Sequence, residues 1–407
     1  MNEPIEIVRL GHGGDGVAID GSFIPYTVPG DVVRLSAEPK PRVDEIIKAG
    51  PGRIKAACRH FGICGGCSLQ HVAQEAYLGW KRDLIGSALA QRGFENIKIE
   101  DVRTVKPGSR RRAAFKARRG AEGVALGFYE PHSRNLVDVL ECPVLVPALA
   151  EAMPKFKHGL ERLLGPGEVA ELHVTHTDAG LDVSLKWRRP SGPDIHFALA
   201  EFAQELNLAR LSWNGEMVAV ARAPYLRIGS HTILLPVEPF LQPTREGEAI
   251  LQSLVREGVQ GALNVADLFA GCGTFALTLT DNCSIKAVEA NALMAEALEE
   301  AARERKSDLG VQRRDLFQRP LLPFELKTFD HVILDPPRLG AKGQAEQLAK
   351  SDVSRIVYVS CNPTSFARDA RILCNGGYRL QRVVPVDQFL WSAHVELVAF
   401  LERDAKS

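Results

Sequence analysis

Asn264-Val-Ala-Asp-Leu-Phe269, running on into Ala270-Gly-Cys-Gly-Thr-Phe275, decides the fold of this chain. The first six residues are apolar enough for a buried strand, and the paired glycines turn the backbone sharply into a helix expected to reach Thr280. Ser284-Ile-Lys-Ala-Val-Glu289 then reads as the neighbouring strand. From about Leu263 onward strands and helices alternate, which specifies a doubly wound, mostly parallel sheet. The carboxyl ends of such strands line a crevice where ligands bind, so polar residues at strand ends become candidates.

Glu289 closes the second strand. An acid there accepts hydrogen bonds from both hydroxyls of a ribose, while Gly271 and Gly273 let the backbone pass close to the rest of a nucleotide. That combination suits either a nicotinamide cofactor or S-adenosylmethionine. Phe329-Asp-His-Val-Ile-Leu-Asp-Pro-Pro-Arg338 separates the two. Asp335 ahead of two prolines projects a rigid carboxylate into the crevice, a methyltransferase feature for which a dehydrogenase has no use. Amino-methylating enzymes follow that motif with an aromatic that stacks on the target base, whereas here Arg338 follows, so covalent chemistry is expected. One strand later comes Arg355-Ile-Val-Tyr-Val-Ser-Cys-Asn-Pro363, with Cys361 at the strand's carboxyl end and Pro363 in the first turn of a helix. A thiol near a helix amino terminus is expected to ionise below its free value of roughly 8.5 and to act as a nucleophile. Arg379 to Asp387 and His394 to Leu401 read as a final antiparallel pair, with Glu396 near the active edge.

Upstream the pattern differs. The chain has 407 residues, enough for two or three domains, and its 50 Lys and Arg balance 50 Asp and Glu. Global charge therefore gives no case for nucleic acid, although Arg110-Arg-Arg-Ala-Ala-Phe-Lys-Ala-Arg-Arg119 is locally basic and could grip phosphates and stack bases. No apolar run of signal-peptide or membrane-span length opens the chain, so a cytosolic protein with reduced thiols is expected. Short strands at Glu6 to Leu10, Gly16 to Ile19 and Asp31 to Leu35 suggest a small barrel. Between the first two lies Gly11-His-Gly-Gly-Asp-Gly16, a path for close approach to a ligand or a flexible loop. A helix is expected over Leu69 to Gln91 and another over Pro147 to about Leu164, with further strands to Arg222. His173, His176 and His231 have no carboxylate or cysteine at ligand spacing and read as packing or surface groups.

Cys58-Arg-His-Phe-Gly-Ile-Cys64-Gly-Gly-Cys67 places three thiols within ten residues, and glycines allow the tight path that converging thiolates need. Cys142, in Leu140-Glu-Cys-Pro143, is the nearest fourth ligand by sequence. A three-plus-one arrangement leans toward an iron–sulfur cluster, with zinc and unliganded thiols as alternatives.

In chain order the motifs are Cys-x5-Cys-x2-Cys with the remote Cys-Pro, Asp-Leu-Phe-x-Gly-x-Gly, Asp-Pro-Pro-Arg-x-Gly, Ser-Cys-Asn-Pro and His-Val-Glu, running from Cys58 to Glu396. With them the chain resembles the iron–sulfur-containing RNA uracil-C5 methyltransferases, the group that makes 5-methyluridine in ribosomal RNA. The resemblance implies an α/β plus all-β architecture in three parts. These are an oligonucleotide-binding-like barrel of the TRAM type over 1–55, a β-rich central domain with the cluster over 56–240, and a Rossmann-like class I methyltransferase domain over 241–407. It implies Cys361 as nucleophile, Glu396 as base, and Cys58, Cys64, Cys67 and Cys142 as ligands of a four-iron, four-sulfur cluster. Gln242, Phe269, Gly271, Gly273, Thr274, Glu289, Asp315 and Asp335 fall where the family contacts S-adenosylmethionine. Two stretches depart from the family pattern: Gln242-Pro-Thr244 stands for Gln-x-Asn, and Thr274-Phe275 replaces a Gly-Asn-like pair. The implied partner is RNA, foremost 23S rRNA, bound by a cytoplasmic monomer with no membrane association. Transfer RNA as substrate, cytosine-C5 methylation, and a non-catalytic iron–sulfur RNA-binding protein are the alternatives. RNA cytosine enzymes generally use two cysteines, and Cys374 lies beyond the strand end within the next helix.

Overall fold

The computed structural model describes residues 3–36 and 42–403. Its largest sheet has nine strands. The order of its seven principal strands runs Leu309–Arg313, Ser284–Glu289, Asn264–Leu268, His331–Leu334, Arg355–Ser360, Glu396–Arg403, Tyr378–Asp387. The first five are mutually parallel and the last two antiparallel. His331–Leu334 and the inner residues of Asn264–Leu268 are buried on both faces, which explains why these strands read as continuous apolar runs. Helix Arg245–Gly258 covers one face through Leu251, Leu254 and Val255, and Pro363–Asn375 covers the other through Phe366, Ala370 and Leu373.

Two expectations are corrected here. The helix drawn from the glycine turn to Thr280 shrinks to a single 3-10 turn, Ala276–Thr278, because Ser284 already opens the next strand and leaves too little chain for more. Residues assigned to the central unit also divide differently. Helix Gln74–Ala90 packs Ile85, Ala88 and Leu89 into the core of the doubly wound domain beside Phe366 and Leu373. Just after it, Lys98–Ile99 and Arg103–Thr104 pair with Tyr378–Asp387, occupying an edge whose backbone groups would otherwise stand open.

The amino-terminal unit is a five-stranded antiparallel sheet around Ile7, Ala18, Ile24 and Val33. Gly16 belongs to its packing, since a Cβ there would stand 2.0 Å from Thr27 Oγ1; the glycine run is neither loose nor wholly open. A seven-stranded central sheet carries helices Pro147–Leu163 and Pro193–Glu205 on its apolar face. The basic run lies in this sheet, and it forms neither a wholly solvated face nor a continuous row free to grip phosphates. Phe115 is in the core, Arg119 donates to the Leu164 carbonyl, and Lys116 pairs with Glu171. Arg111, 1% exposed, crosses to the doubly wound domain, donating to Glu248 Oε2 at 2.6 Å and to the Gln242 carbonyl at 3.1 Å. Removing one partner of such a buried pair costs about 3–5 kcal/mol, and Arg111 is a joint between the two units. His173 is a surface group as expected, standing 2.6 Å from Glu171 and 3.2 Å from Glu238 in a half-buried network. Among the described residues no helix is long and apolar enough to cross a membrane.

Candidate active site

Strand register brings the two reactive candidates together. Ser360 pairs with Leu397 across the antiparallel ladder, so the next residues outward, Cys361 and Glu396, are neighbours at the sheet's edge. Glu396 is 3% exposed and accepts from Gln388 Nε2 at 3.0 Å; the same amide donates to Gln242 Oε1 at 2.7 Å. Burial pushes the Glu396 carboxyl up to about 7, against the opposing pull of the Gln388 bond. Asp335, one strand inward, is raised well above the usual carboxylate range by burial and then by the charges of Glu396 and Asp267. Asn362 ties the reactive loops together: its Nδ2 donates to the Arg338 carbonyl at 2.9 Å, and its Oδ1 caps helix Pro363–Asn375 by accepting from Thr364 N.

The expectation of a readily ionised Cys361 is corrected by this environment. Burial, followed by the Glu396 and Asp335 carboxylates, pushes the thiol up to about 12, outweighing Arg338 and a backbone hydrogen bond. The Cys361 thiol therefore keeps its proton at neutral pH in the free protein.

The ligand crevice continues along the strand ends. Glu289 Oε2 accepts from Gly271 N at 2.8 Å and Oε1 from Asn291 N at 2.7 Å, which locks the carboxylate while each oxygen retains a lone pair for a ribose hydroxyl. Phe269 adopts φ 65° and Gly273 φ 78° to make the turn; a Cβ on Gly273 would lie 2.4 Å from Leu298 Cδ1. Around Gly271 nothing lies within 4 Å of a Cβ position, leaving the backbone open to a ligand. Asp315 Oδ1 accepts from Phe317 N at 2.9 Å, and the Phe317 ring stands 5.4 Å from that of Phe269. Thr274 meets the neighbouring helix through its carbonyl, which accepts from Gln252 Nε2 at 3.0 Å. Asp267, fully buried, uses Oδ2 to accept from Ala276 N but leaves Oδ1 without a protein partner. An acid-anchored glycine turn, an open backbone and an orphaned carboxylate oxygen fit a cationic nucleoside such as S-adenosylmethionine.

Cys58, Cys64, Cys67 and Cys142 line one cavity of about 760 Å³, bounded on its far side by Gln388, Phe389 and His394. His60 N lies 3.4 Å from Cys58 Sγ and Gly66 N 3.4 Å from Cys64 Sγ, both donating to sulfur. Burial, with the neighbouring thiols, pushes Cys67 up to about 11 and Cys142 to about 12. Among the described residues no three His, Cys, Asp or Glu side chains converge as they would on a single metal ion. Four thiols on one cavity, two of them accepting from backbone N–H groups, are the residues that could hold a metal group.

Several residues of this site were not singled out by sequence reasoning. Gln388 carries no recognisable spacing, and only the adjacency of Asp387-Gln388 to His394-Val-Glu396 hints at it; Asp267 opens the Asp-Leu-Phe-x-Gly-x-Gly motif but was given no role of its own. Arg338 donates to His394 Nδ1 at 3.1 Å, a contact between loops distant in sequence.

Known proteins resemble this chain. Residues 254–404 match the family model described as tRNA (Uracil-5-)-methyltransferase. An RNA methyltransferase of Brucella suis is 41% identical over 406 residues, covering 98% of this chain and 97% of the relative. The 23S rRNA (uracil(1939)-C(5))-methyltransferase RlmD of Halomonas elongata is 33% identical over 432 residues, 98% of this chain and 89% of the relative. The crystal structure of Pyrococcus abyssi tRNA (uracil-54, C5)-methyltransferase, in complex with S-adenosyl-L-homocysteine, has a TM-score of 0.77 at 24% identity, covers 98% of this chain and 100% of that one, and shows the same fold.

Proposed function

Because the chain belongs to the RNA uracil-C5 methyltransferase family and methylates with S-adenosylmethionine, we propose that its substrate is a uridine of 23S rRNA, modified through a covalent Cys361 adduct. The observation that carries the chemistry is the register that sets Cys361 beside Glu396. Uracil C5 is too weak a nucleophile to take a methyl group unaided. Cys361 loses its proton to water as its sulfur adds to C6, leaving an electron pair at C5. The C5 pair then bonds the methyl carbon as that carbon's bond to the sulfonium sulfur breaks, its pair staying on sulfur; Glu289, Asp315, Phe269, Asp335 and the Gly271–Gly273 turn would hold the S-adenosylmethionine that supplies it. Glu396 then takes the proton from C5, the C6–S bond breaks with its pair returning to sulfur, and the C5–C6 double bond reforms. Gln388 holds Glu396 for that step, and Gln242 holds Gln388. The target uridine must leave its stack to reach a crevice this enclosed.

The choice of ribosomal over transfer RNA rests on the Halomonas relative, matched over 89% of its length. Mapping 5-methyluridines in a deletion strain tests it: one site lost from 23S rRNA is expected, and a loss confined to tRNA overturns it.

The four cysteines are read as ligands of a four-iron, four-sulfur cluster, which would join the 58–67 loop to the Cys142 strand end. A structural zinc needs its sulfurs about 2.3 Å from one ion, and among the described residues no three ligating side chains gather that closely. Protein purified without oxygen should be brown with about four irons per chain, the number such a cluster holds. Colourless protein carrying one zinc would sink the assignment.

A further inference from the structure

Helix Gln74–Ala90 lies outside the region matched by the family model, yet it grips the loop that precedes Glu396 at both ends and at its apex. The Lys81 ammonium is wholly buried against Asp387, which is also wholly buried and ends strand Tyr378–Asp387. It donates further to the carbonyls of Phe389 at 3.4 Å and His394 at 2.6 Å, one near each end of the loop. One turn earlier on the same helix face, Tyr77 Oη donates to Asp387 Oδ2 at 2.7 Å and accepts from Trp391 N at 2.8 Å. Trp391 holds φ 58°, a conformation its bulky side chain disfavours, so outside contacts must impose it. Its carbonyl accepts from Ser68 N at 2.9 Å and Leu69 N at 3.1 Å, the residues directly after Cys67. Gln388, the amide that holds Glu396, sits between Asp387 and this gripped segment.

We propose that Lys81 and Tyr77 are positioning residues. Through Asp387 and the 388–395 loop they set Gln388, and hence the Glu396 carboxylate, for removal of the C5 proton. Resting on the covalent reading above, this assigns them to one half of the reaction. They matter little when the Cys361 sulfur bonds C6. They matter when the C5–H bond breaks, its proton passes to Glu396, and the C6–S pair returns to sulfur. A purely structural role would slow both halves alike.

The test uses the full-length protein, substrate RNA and S-adenosylmethionine under single-turnover conditions, scoring RNA–protein adducts on denaturing gels. Lys81→Met keeps the side-chain length but strands a buried carboxylate, so Tyr77→Phe, which removes one hydroxyl and no charge, accompanies it. In both variants turnover should fall by about tenfold or more while the methylated adduct accumulates and RNA affinity stays unchanged. Adduct formation falling in step with turnover, or no change in either, overturns the proposal. Wild-type protein with 5-fluorouridine RNA is the control. If it never forms a stable adduct, the covalent reading fails, whereas trapping in wild type without accumulation in the variants rejects only the positioning role.

Discussion

Cys361→Ala is expected to abolish methyl transfer while leaving S-adenosylmethionine and RNA binding intact. The sulfur supplies the electron density that C5 lacks, and no other thiol stands beside Glu396 across the ladder, where Ser360 pairs with Leu397. Removing a covalent nucleophile typically costs on the order of 10⁴-fold or more in turnover, because the remaining groups then act on an unactivated substrate. Cys361→Ser should be nearly as poor, since a hydroxyl flanked by the Glu396 and Asp335 carboxylates is harder still to ionise than the thiol, itself pushed up to about 12. Transfer of radiolabelled methyl to RNA measures the loss, and formation of a stable complex with 5-fluorouridine RNA should vanish with it. Retention of more than a few per cent of wild-type activity in the Ala variant would refute the covalent mechanism.

Glu396→Gln should fail later in the cycle, holding methylated RNA on the protein as a persistent adduct with turnover reduced by about 10²–10⁴-fold, the usual contribution of a positioned base. For the native enzyme the rate should rise with pH through about 7, because only the deprotonated Glu396 can accept the C5 proton. The same substitution bears on stability. A carboxyl whose folded value is raised from 4.5 to about 7 binds more protons folded than unfolded between those values. Its contribution is complete below about 4.5 and is lost as pH rises through about 7, so Glu396→Gln should be more stable than wild type at pH 8 by on the order of 1–3 kcal/mol. Urea midpoints at pH 5 and pH 8 check the sign; a variant equally or less stable at pH 8 would show that the carboxylate is well solvated or well paired.

The doubly wound domain was legible because its evidence is local. Apolar runs such as Arg355 to Ser360, glycine turns and strand-end acids each report on a few neighbouring residues, and the observed elements begin and end close to where those patterns do. The reactive pair was legible for the same reason, since both residues terminate a recognisable strand. The basic run misled because charge is visible in sequence and its partners are not: Arg111 finds Glu248 across 137 positions, and Phe115 beside it faces the core. The expected ease of ionising Cys361 failed likewise, because a helix terminus is a local feature whereas the burial and carboxylates that outweigh it arrive from other strands.

By itself the sequence determined which candidate groups this protein carries: a strand-end thiol, a strand-end carboxylate, a glycine turn beside an acid, and three cysteines within ten residues. Tertiary structure alone decided how those groups behave. It set Cys361 against Glu396 through strand register, raised both their pKa values by burial, and placed helix Gln74–Ala90 under the loop before the base, where Lys81 meets Asp387. The physical reason is that residue type and spacing specify local backbone and reactivity, whereas desolvation and long-range pairing depend on which distant segments share the same buried volume.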